Sequence, residues 1–555
     1  MRDQPGTRSI VFASAVCGAI VGSHDAPAPR EGEHSAMDAR RHWQRKAGAM
    51  IGVMLLLSGC APQPALPAPT TAPPRALNVT ATPTAPRFEP SSCPFPLYVA
   101  QVDGKTVDCG AVIVPEDRAN PAGPTIRLAV ARFRSSAAVP DPTPTIYLAG
   151  GPGAALLGLG LGAFAASFTG TRDFIAFDQR GIGHSTPALD CPEVKEQALQ
   201  DFTHVLTTTE EADHAVAAAR ACRDRLTGAG IDLAAYTSAE SAADINDIRA
   251  VFGYTAINLL GGSYGTLLAL TVMRDFPAIV RSAVLDSVVP PQVGVISDSP
   301  ATFDRALNLD FTLCVAQGAC HASVPVLQAD FARAVARLNA TPATVHAVDP
   351  TTQRAYDLAI TGDRLVYLIQ EWLYSPDAIG RVPELIEEVK EGTTTTLTGL
   401  IAQRFFARIG SRLDLGMFFS VSCSDLVAPA NATASRAGLL PAIRESRTLD
   451  GIYVLDTCGA WPVRQADGAE RQPVTGDVPT LILESANDPI TPPSYGELVA
   501  GTLQKSFLVE GPGAGHGVSR TSCGMEMTAA FFIDPTRKPD TACTTDWGVL
   551  FNATT

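Results

Sequence analysis

The sequence predicts an α/β fold in which a mainly parallel sheet is covered by helices on both faces. From about residue 93, short β-branched and apolar runs alternate with helical patterns, and most of these runs end at Gly-rich or Asp-bearing turns. Hydrophobic residues make up 46% of the chain and charged residues 18%, which is enough apolar material for a large buried core. Between about residues 292 and 425 strand signals lapse and helical periodicity replaces them, which predicts a helical cap inserted over the carboxyl edge of the sheet.

One core interrupted by this cap is therefore expected. Its first part is predicted at 93–291, the cap at 292–425 and the second part of the core at 426–555. Ile245, Ile248 and Phe252 share one face of a helix that precedes a core strand, and cap helices are expected at 327–338 and 362–374. The core strands are expected at 111–114, 125–133, 145–149, 173–177, 257–260, 283–286, 480–484 and 506–510.

The N-terminal region is expected to be an export signal. Residues 40–46 are basic and residues 47–57 are apolar, a run too short to span a bilayer but suited to a signal peptide over 1–59. The following Leu57-Ser58-Gly59-Cys60 resembles a bacterial lipobox, which implies cleavage before Cys60 and lipid on its sulfur; an ordinary signal peptide is the alternative. Met37 is the expected start. Residues 60–92 are predicted to be a Pro-rich linker that tethers the body, with nine prolines over 61–90.

Cysteine content indicates an exported protein, either an envelope lipoprotein facing the extracytoplasmic side or a secreted one. Setting aside Cys17 and Cys60, ten of the twelve cysteines remain, and pairing neighbours in order gives short loops, although sequence leaves the connectivity open. Zinc on Cys314, Cys320 and His321 is the competing interpretation, yet there is no C-x-x-C pair. We expect no metal and no cofactor. A net charge of −14 argues against a nucleic-acid partner.

The strongest local motif is the run 261–265 (GGSYG), which fits G-x-S-x-G. It follows a predicted strand and precedes a helical pattern that ends near Pro277. Glycines on either side of a serine allow a tight, strained turn that raises the side-chain oxygen above the sheet. The helix N-terminus that follows favours developing negative charge. Ser263 is therefore the predicted nucleophile.

A serine nucleophile needs a base and an acid that orients the base. His516, in the glycine-rich loop 513–517, is the only histidine after position 346, and it is the predicted base. Asp488 directly follows the strand at 480–484 and is the predicted acid, in the order Ser, Asp, His. Asp286, at the end of the strand after the nucleophile helix, is the rival. Asp477 and Glu484 are weaker candidates.

Two backbone N–H groups are needed to hold an oxyanion. One is expected from Tyr264, the residue after the nucleophile. The other is expected from the loop 150–153 (GGPG), where Gly151 is preferred and Gly153 is the alternative. A phosphate-binding loop is the competing interpretation, but neither G-K-[ST] nor G-x-G-x-x-G with a ribose-binding acid is present.

These motifs together resemble the prolyl aminopeptidases, serine exopeptidases of the α/β-hydrolase fold that include the secreted tripeptidyl aminopeptidases. The similarity rests on 150–153 (GGPG), 178–185 (DQRGIGHS), 262–265 (GSYG) and 488–492 (DPITP), and extends from about Cys93 to Cys543. It implies an α/β-hydrolase fold with a helical cap and the same triad. It also implies that Asp178 and Arg180 brace the oxyanion loop. Ala149 departs from the His or Asn common before the glycines, and His184 is a weak rival for the base.

The resemblance implies cleavage next to a free N-terminus, which releases proline or short peptides such as tripeptides. The expected partner is therefore a peptide with a free N-terminus, and membrane contact is expected only through the lipid anchor; the sequence does not indicate an oligomeric state. A carboxylic-ester hydrolase with the same triad is the alternative, and an inactive surface binding protein is a third interpretation. Carboxylates that could pair with the substrate ammonium are Asp425 and Glu371, and also Glu384, Glu387 and Glu388.

Overall fold

The computed structural model describes residues 85–98, 100–158, 161–406, 413–427, 436–446, 448–449 and 453–551. The predicted signal region, Met37, Cys60 and most of the Pro-rich linker lie outside these ranges and stay predictions. Within the described ranges, no helix has both the length and the apolar character needed to cross a membrane.

A large mixed sheet forms the centre of the core. In chain order, the strands of the described residues are β1 (Arg87–Pro90), β2 (Val107–Pro115), β3 (Thr125–Phe133), β4 (Asp141–Leu148), β5 (Arg172–Phe177), β6 (Ile257–Gly262), β7 (Val280–Asp286), β8 (Ala343–Val348), β9 (Ala355–Ile360), β10 (Thr480–Ser485) and β11 (Ser506–Gly511), and all but β8 and β9 belong to the large sheet. Its spatial order is β1-β2-β3-β5-β4-β6-β7-β10-β11. The strands from β5 to β11 in this order pair in parallel, whereas β1, β2 and β3 form an antiparallel edge.

Helices connect the parallel strands and build the cap. In chain order the α-helices of the described residues are α1 (Gly162–Thr169), α2 (Pro192–Asp201), α3 (Thr208–Gly228), α4 (Ser238–Val251), α5 (Tyr264–Asp275), α6 (Val295–Ala316), α7 (Gly318–Ser323), α8 (Leu327–Ala340), α9 (Gly362–Trp372), α10 (Pro376–Ile379), α11 (Val382–Glu391), α12 (Thr395–Leu400), α13 (Leu415–Val421), α14 (Pro441–Glu445), α15 (Val454–Cys458), α16 (Pro493–Ala500) and α17 (Ser522–Ile533). Short π-helical turns follow α12 and α13, at Ile401–Phe405 and Ser422–Leu426.

The sheet is buried on both faces because its side chains alternate between two apolar layers. Along β3, Leu128 and Val130 belong to one layer, while Ala129 and Ala131 belong to the other. The cap packs around a third, separate apolar cluster, which includes Trp372 of α9. A core and a cap with their own apolar interiors are thus joined at the carboxyl ends of the parallel strands.

The cap is mostly helical, as predicted, but it also contains two strands that the sequence analysis did not identify. The strands β8 and β9 pair antiparallel, with Val345 opposite Leu358. Along β8, Val345 and Ala347 are buried while Thr344 and His346 are exposed. This alternation is the period of a half-buried strand, and it was readable in the sequence. The edge strand β1 was also missed, because it is short and contains a proline.

Five disulfides pair the ten cysteines of the described residues with their neighbours in sequence order. The bonded pairs are Cys93–Cys109, Cys191–Cys222, Cys314–Cys320, Cys423–Cys458 and Cys523–Cys543. The sulfurs of Cys314 and Cys320 bond to each other, and their thiolates are therefore not available as zinc ligands.

Candidate active site

Ser263 lies in a strained turn between β6 and α5. Its backbone angles are φ 55° and ψ −127°, in a region that non-glycine residues rarely adopt. The turn fits only because its neighbours lack side chains. A Cβ added at Gly265 would lie 2.0 Å from the carbonyl oxygen of Leu148, and one at Gly261 would lie 2.4 Å from that of Gly265. The G-x-S-x-G prediction thus corresponds to a real steric requirement.

Tyr264 begins α5, and its backbone N–H therefore has no acceptor within the helix. The side chain is buried, and its hydroxyl lies 3.0 Å from Ser238 Oγ. This contact anchors Tyr264 below the serine. The N–H at the head of the helix is consequently available for an oxyanion, in a place where the helix dipole favours negative charge.

The glycine loop 150–153 follows β4 and lies against the serine. A Cβ at Gly150 would be 2.9 Å from Ser263 Cβ and 3.5 Å from Ser263 Oγ. Gly151 and Gly153 have φ values of 111° and 92°, which side chains other than that of glycine rarely tolerate. The predicted oxyanion loop is therefore in contact with the predicted nucleophile, and backbone rather than side chains faces it.

Asp178 supports the segment that follows this loop. Its Oδ1 accepts hydrogen bonds from the backbone N–H groups of Leu156 and Leu157, at 2.7 and 2.9 Å. Its Oδ2 accepts the backbone N–H of His184 and lies 3.0 Å from His184 Nδ1. Arg180 instead pairs with the buried Asp244, 2.7 Å away. His184 is therefore occupied in bracing this turn.

His516 and Asp488 form a close pair on the loops after β11 and β10. The Nδ1 of His516 is 2.7 Å from Asp488 Oδ2, and Asp488 is fully buried. Burial opposes charge on His516, but the attraction and hydrogen bond of Asp488 outweigh it and raise the histidine pKa. Burial likewise raises the pKa of Asp488, and the contacts with His516 and with backbone N–H groups reverse this, so the net pKa is lowered. The pair is suited to hold a histidine that accepts a proton at Nε2.

The carboxylate of Asp286, the rival acid, binds the backbone after His516 and not the imidazole ring. Its carboxylate accepts the backbone N–H groups of Val518 and Ser519, at 2.9 and 2.8 Å, and the Ser519 hydroxyl at 2.5 Å. Its backbone carbonyl accepts the N–H of Ser263 at 2.9 Å. Asp286 therefore ties the chain after His516 to the serine turn, and Asp488 is the carboxylate that contacts the histidine ring.

Four residues that sequence reasoning missed surround this pair. Thr491 donates through Oγ1 to Asp488 Oδ2 at 2.8 Å, and the same oxygen is 3.3 Å from His516 Nδ1. Tyr374 accepts the backbone N–H of His516 and places its ring edge against the imidazole, with centroids 4.9 Å apart. Arg305 and Asp310 of α6 contact the turn that contains Asp488. Only Thr491 carries a local signal, since a threonine three residues after an aspartate commonly closes a turn.

The predicted ammonium-binding carboxylates lie in different settings. Asp425 accepts hydrogen bonds from Ser238 N, Ser238 Oγ and Ser424 Oγ, and burial raises its pKa. Glu371 lies near the end of α9, the helix that leads to Tyr374 beside His516. Three further candidates lie on α11: Glu384 is 3.6 Å from Arg381, Glu387 binds Lys390 at 2.8 Å, and Glu388 accepts the N–H of Thr396 at 2.7 Å. Glu371 precedes Tyr374, the residue that contacts His516, by three positions in the chain.

A cavity of about 150 Å³ is lined in part by Leu413 and Phe418, two residues that also lie close to the oxyanion loop. Among its walls, Leu413 Cδ1 would lie 3.3 Å from a Cβ at Gly151, and Phe418 N would lie 3.3 Å from one at Gly153. The charged wall groups bind protein partners, as Arg364 does with Glu211 at 2.6 Å. An apolar cavity of this size holds a benzene-sized group. The remaining apolar and aromatic wall residues include Phe202, Tyr367, Phe405 and Phe419.

The sheet order, the strained serine between a parallel strand and a helix, and the acid and histidine on the following strands define an α/β hydrolase. Two family models agree: one described as "alpha/beta hydrolase fold" matches residues 146–313, and one described as "TAP-like protein" matches residues 450–543. The chain has the α/β-hydrolase fold and is a hydrolase, and it is similar to aminopeptidases of that fold.

Named relatives cover most of the chain. Serine protease Hip1 of Mycobacterium tuberculosis is 26% identical over 78% of this chain and 86% of its own length. Tripeptidyl aminopeptidase of Streptomyces lividans is 28% identical over 75% of this chain and 79% of its own length. Carboxylesterase B of Mycobacterium tuberculosis is 27% identical over 90% of this chain and 98% of its own length. A solved structure of proline iminopeptidase from Mycobacterium smegmatis is 16% identical, covers 77% of this chain and 98% of its own, and has a TM-score of 0.38.

Proposed function

We propose that the protein is an exported serine aminopeptidase that releases proline or short peptides, such as tripeptides, from free N-termini. The observation that supports this most is the combination of a strained Ser263 at the head of α5 with a buried Asp488 that lies 2.7 Å from His516 Nδ1. The named relatives that are peptidases support the choice of a peptide substrate.

In the proposed reaction, Ser263 Oγ attacks the scissile carbonyl while His516 Nε2 takes its proton. Asp488 holds the proton on Nδ1 and stabilises the imidazolium that forms. The N–H groups of Tyr264 and Gly151 bind the developing oxyanion. His516 then protonates the leaving amine, and a water molecule, activated by the same histidine, releases the acyl group from Ser263.

An exopeptidase must also recognise the substrate ammonium and enclose the residues before the scissile bond. We assign the ammonium to Glu371, because α9 leads directly to Tyr374, whose backbone carbonyl accepts the N–H of His516. The cavity beside Leu413 and Phe418 has the place and the apolar walls to take a substrate side chain.

A substrate panel tests the peptidase assignment. Tripeptidyl and prolyl amides are compared with their N-acetylated forms and with short acyl esters. We expect the free-amine amides to be cleaved and their acetylated forms to be cleaved at least tenfold more slowly. Acetylation removes the ammonium charge, and the loss of one charge-assisted contact corresponds to a rate decrease of about this size. Equal rates for free and acetylated amides would rule out an aminopeptidase. Ser263→Ala should lower kcat by roughly 10⁴–10⁶ for every substrate.

The ammonium site has a matched control within the cap. Glu371→Gln should raise KM for free-amine substrates and leave acetylated ones unchanged, because the neutral amide loses only the charge. Glu384→Gln alters another cap carboxylate, which pairs with Arg381 at 3.6 Å. This substitution should leave KM unchanged for both free-amine and acetylated substrates. Equal effects of the two substitutions would remove Glu371 from the site.

An ester hydrolase with the same triad is the second candidate. The relative named carboxylesterase B and the apolar cavity beside the oxyanion loop favour it. Rapid turnover of short acyl esters without any turnover of free-amine amides in the same panel would decide for the esterase. An inactive binding protein is disfavoured, because serine, aspartate and histidine are all present.

Export is proposed from the disulfides. Structural disulfides persist in oxidising compartments, and the described residues contain five. The lipobox-like run predicts an anchor at Cys60, which mass spectrometry of the mature N-terminus tests. A mature peptide that spans Gly59-Cys60 intact would contradict the anchor.

A further inference from the structure

Helix α6 contacts the turn that contains Asp488 at several points. Thr302 Oγ1 donates to the carbonyl of Pro489 at 2.9 Å. Arg305 donates to the carbonyls of Ala486 and Asp488, at 2.5 and 2.6 Å. These bonds fix the backbone of the acid turn from the cap side. The residues that directly precede His516 are held by a different side chain.

That side chain is Asn487, which is fully buried between the acid turn and the histidine loop. Its Oδ1 accepts the backbone N–H of Gly515 at 3.0 Å and the hydroxyl of Ser485, also at 3.0 Å. The Ser485 oxygen accepts the N–H of Ala514 at 2.8 Å. Asn487 and Ser485 therefore set the backbone of the residues that directly precede His516.

Asn487 can do this only with its oxygen facing the loop. A side-chain amide has an acceptor end and a donor end, and a rotation by 180° would place NH₂ against the N–H of Gly515. The donor end faces Asp310 of α6, whose Oδ1 accepts from Asn487 Nδ2 at 3.3 Å. A carboxylate at this place accepts the NH₂ and opposes the reversed orientation, which would set two acceptor oxygens against each other.

Asp310 is a buried carboxyl group with few polar partners among the described residues. It is 2% exposed, and its Oδ2 has no hydrogen-bond partner among the described residues. Burial raises its pKa to about 7, while Asn487 and the nearby Arg305 on the same helix act in the opposite direction. A carboxyl group kept in such a place without a salt bridge is costly, and functional sites are where such groups cluster.

We infer that Asp310 is a positioning residue: it fixes the orientation of the Asn487 amide and thereby the loop that presents His516. The inference rests on the proposed function, in which His516 is the base. Asp310 acts from α6, the same helix that holds the acid turn through Arg305. One helix of the cap side thus aligns both the acid and the base.

Two substitutions separate this role from a contribution to folding. Asp310→Leu removes the acceptor at similar size, and Asp310→Asn retains one. We expect Asp310→Leu to lower kcat about tenfold, with KM changed less than twofold, because the ring is misaligned but the substrate site is intact. Asp310→Asn should restore kcat to within about threefold of wild type, since its amide oxygen accepts from Asn487.

The control is Asp304→Leu, the same change on the same helix. Among the described residues, the Asp304 carboxylate accepts from the N–H of Leu440 at 2.8 Å and from Asn308 Nδ2 at 2.9 Å, and no hydrogen bond joins it to the acid turn. Hydrolysis of p-nitrophenyl acetate is measured, with active sites counted by a fluorophosphonate label and folding followed by thermal denaturation. Asp304→Leu should keep kcat per labelled site even if it lowers the melting temperature.

The outcomes are distinct. A wild-type kcat per labelled site in Asp310→Leu would overturn the inference. The inference would also fail if kcat decreased equally in Asp310→Leu and Asp310→Asn, or equally in Asp310→Leu and Asp304→Leu. Undiminished activity in His516→Ala and Ser263→Ala would instead show that the proposed function fails, whatever Asp310 does. A small ester is used so that the result does not depend on whether the natural substrate is a peptide.

Discussion

Replacing Asp488 with asparagine tests the acid assignment, because the turn dictates how an amide must sit there. Asp488 Oδ1 accepts the backbone N–H groups of Ile490 and Thr491, both at 2.9 Å. The carbonyl oxygen of an asparagine must occupy this position, since NH₂ cannot face two N–H donors. The NH₂ group is then left at the Oδ2 position, 2.7 Å from His516 Nδ1.

An NH₂ group at that distance has to donate to Nδ1, which moves the ring proton to Nε2. The histidine then has no lone pair toward Ser263 and cannot act as a base. A comparable tautomer reversal in a serine protease lowers kcat by about 10⁴, and we expect a loss of that order here. KM should change little, because Asp488 is fully buried.

The assay compares kcat of Asp488→Asn with that of Asp286→Asn, on the same ester and the same amide. Asp286 binds the Val518 and Ser519 N–H groups, so its replacement should loosen the loop and cost about 10–100-fold in kcat. Thermal denaturation verifies that both variants fold. If Asp488→Asn stays within tenfold of wild type while Asp286→Asn loses about 10⁴, the acid is Asp286 and the reasoning is refuted.

Three other predictions concern the same cluster. Because Asp488 raises the His516 pKa above its ordinary 6.5, kcat/KM should fall with decreasing pH through a midpoint above 6.5, and a profile with a midpoint below 6.5 would contradict the pairing. Thr491→Val removes the hydroxyl that donates to Asp488 Oδ2 and should lower kcat about tenfold at unchanged KM. Thr491→Ser keeps the hydroxyl and should retain the wild-type kcat, and steady-state kinetics of the two variants test both expectations. Burial raises the pKa of Glu484 well above 4.5, so the wild-type free energy of unfolding should decrease as pH rises from 4.5 toward that raised value. Urea titrations at increasing pH should show this decrease in the wild type but not in Glu484→Gln; parallel curves would show that Glu484 does not titrate as proposed.

The local part of the site was predictable because local chemistry specifies it. Ser263 requires glycines around it for steric reasons that a short sequence window contains. Asp488 and His516 each follow a strand of strongly apolar residues, and parallel strands place their carboxyl ends at one edge of the sheet. The predictions for these residues depend on pattern and order alone.

The supporting residues were not predictable, because only tertiary packing brings them to the site. Asp310 precedes Asn487 by 177 positions, and nothing in the amphipathic pattern of α6 distinguishes a buried carboxyl from a solvated one. Tyr374 meets His516 only after the cap has folded onto the core. The strands β8 and β9 were missed for another reason. Apolar and polar residues alternate along β8, but the surrounding sequence has helical periodicity and the whole segment was assigned to helices.

The disulfide order has a consequence for how the protein can mature. Ten cysteines allow many pairings, but each bonded cysteine here joins the next one along the chain, with separations from 6 to 35 residues. If the chain crosses a membrane from its N-terminus, its cysteines emerge in sequence order. An oxidase that bonds each pair as it emerges would then form the five native disulfides. Such a protein depends on an oxidant during export, and far less on an isomerase that corrects wrong pairs.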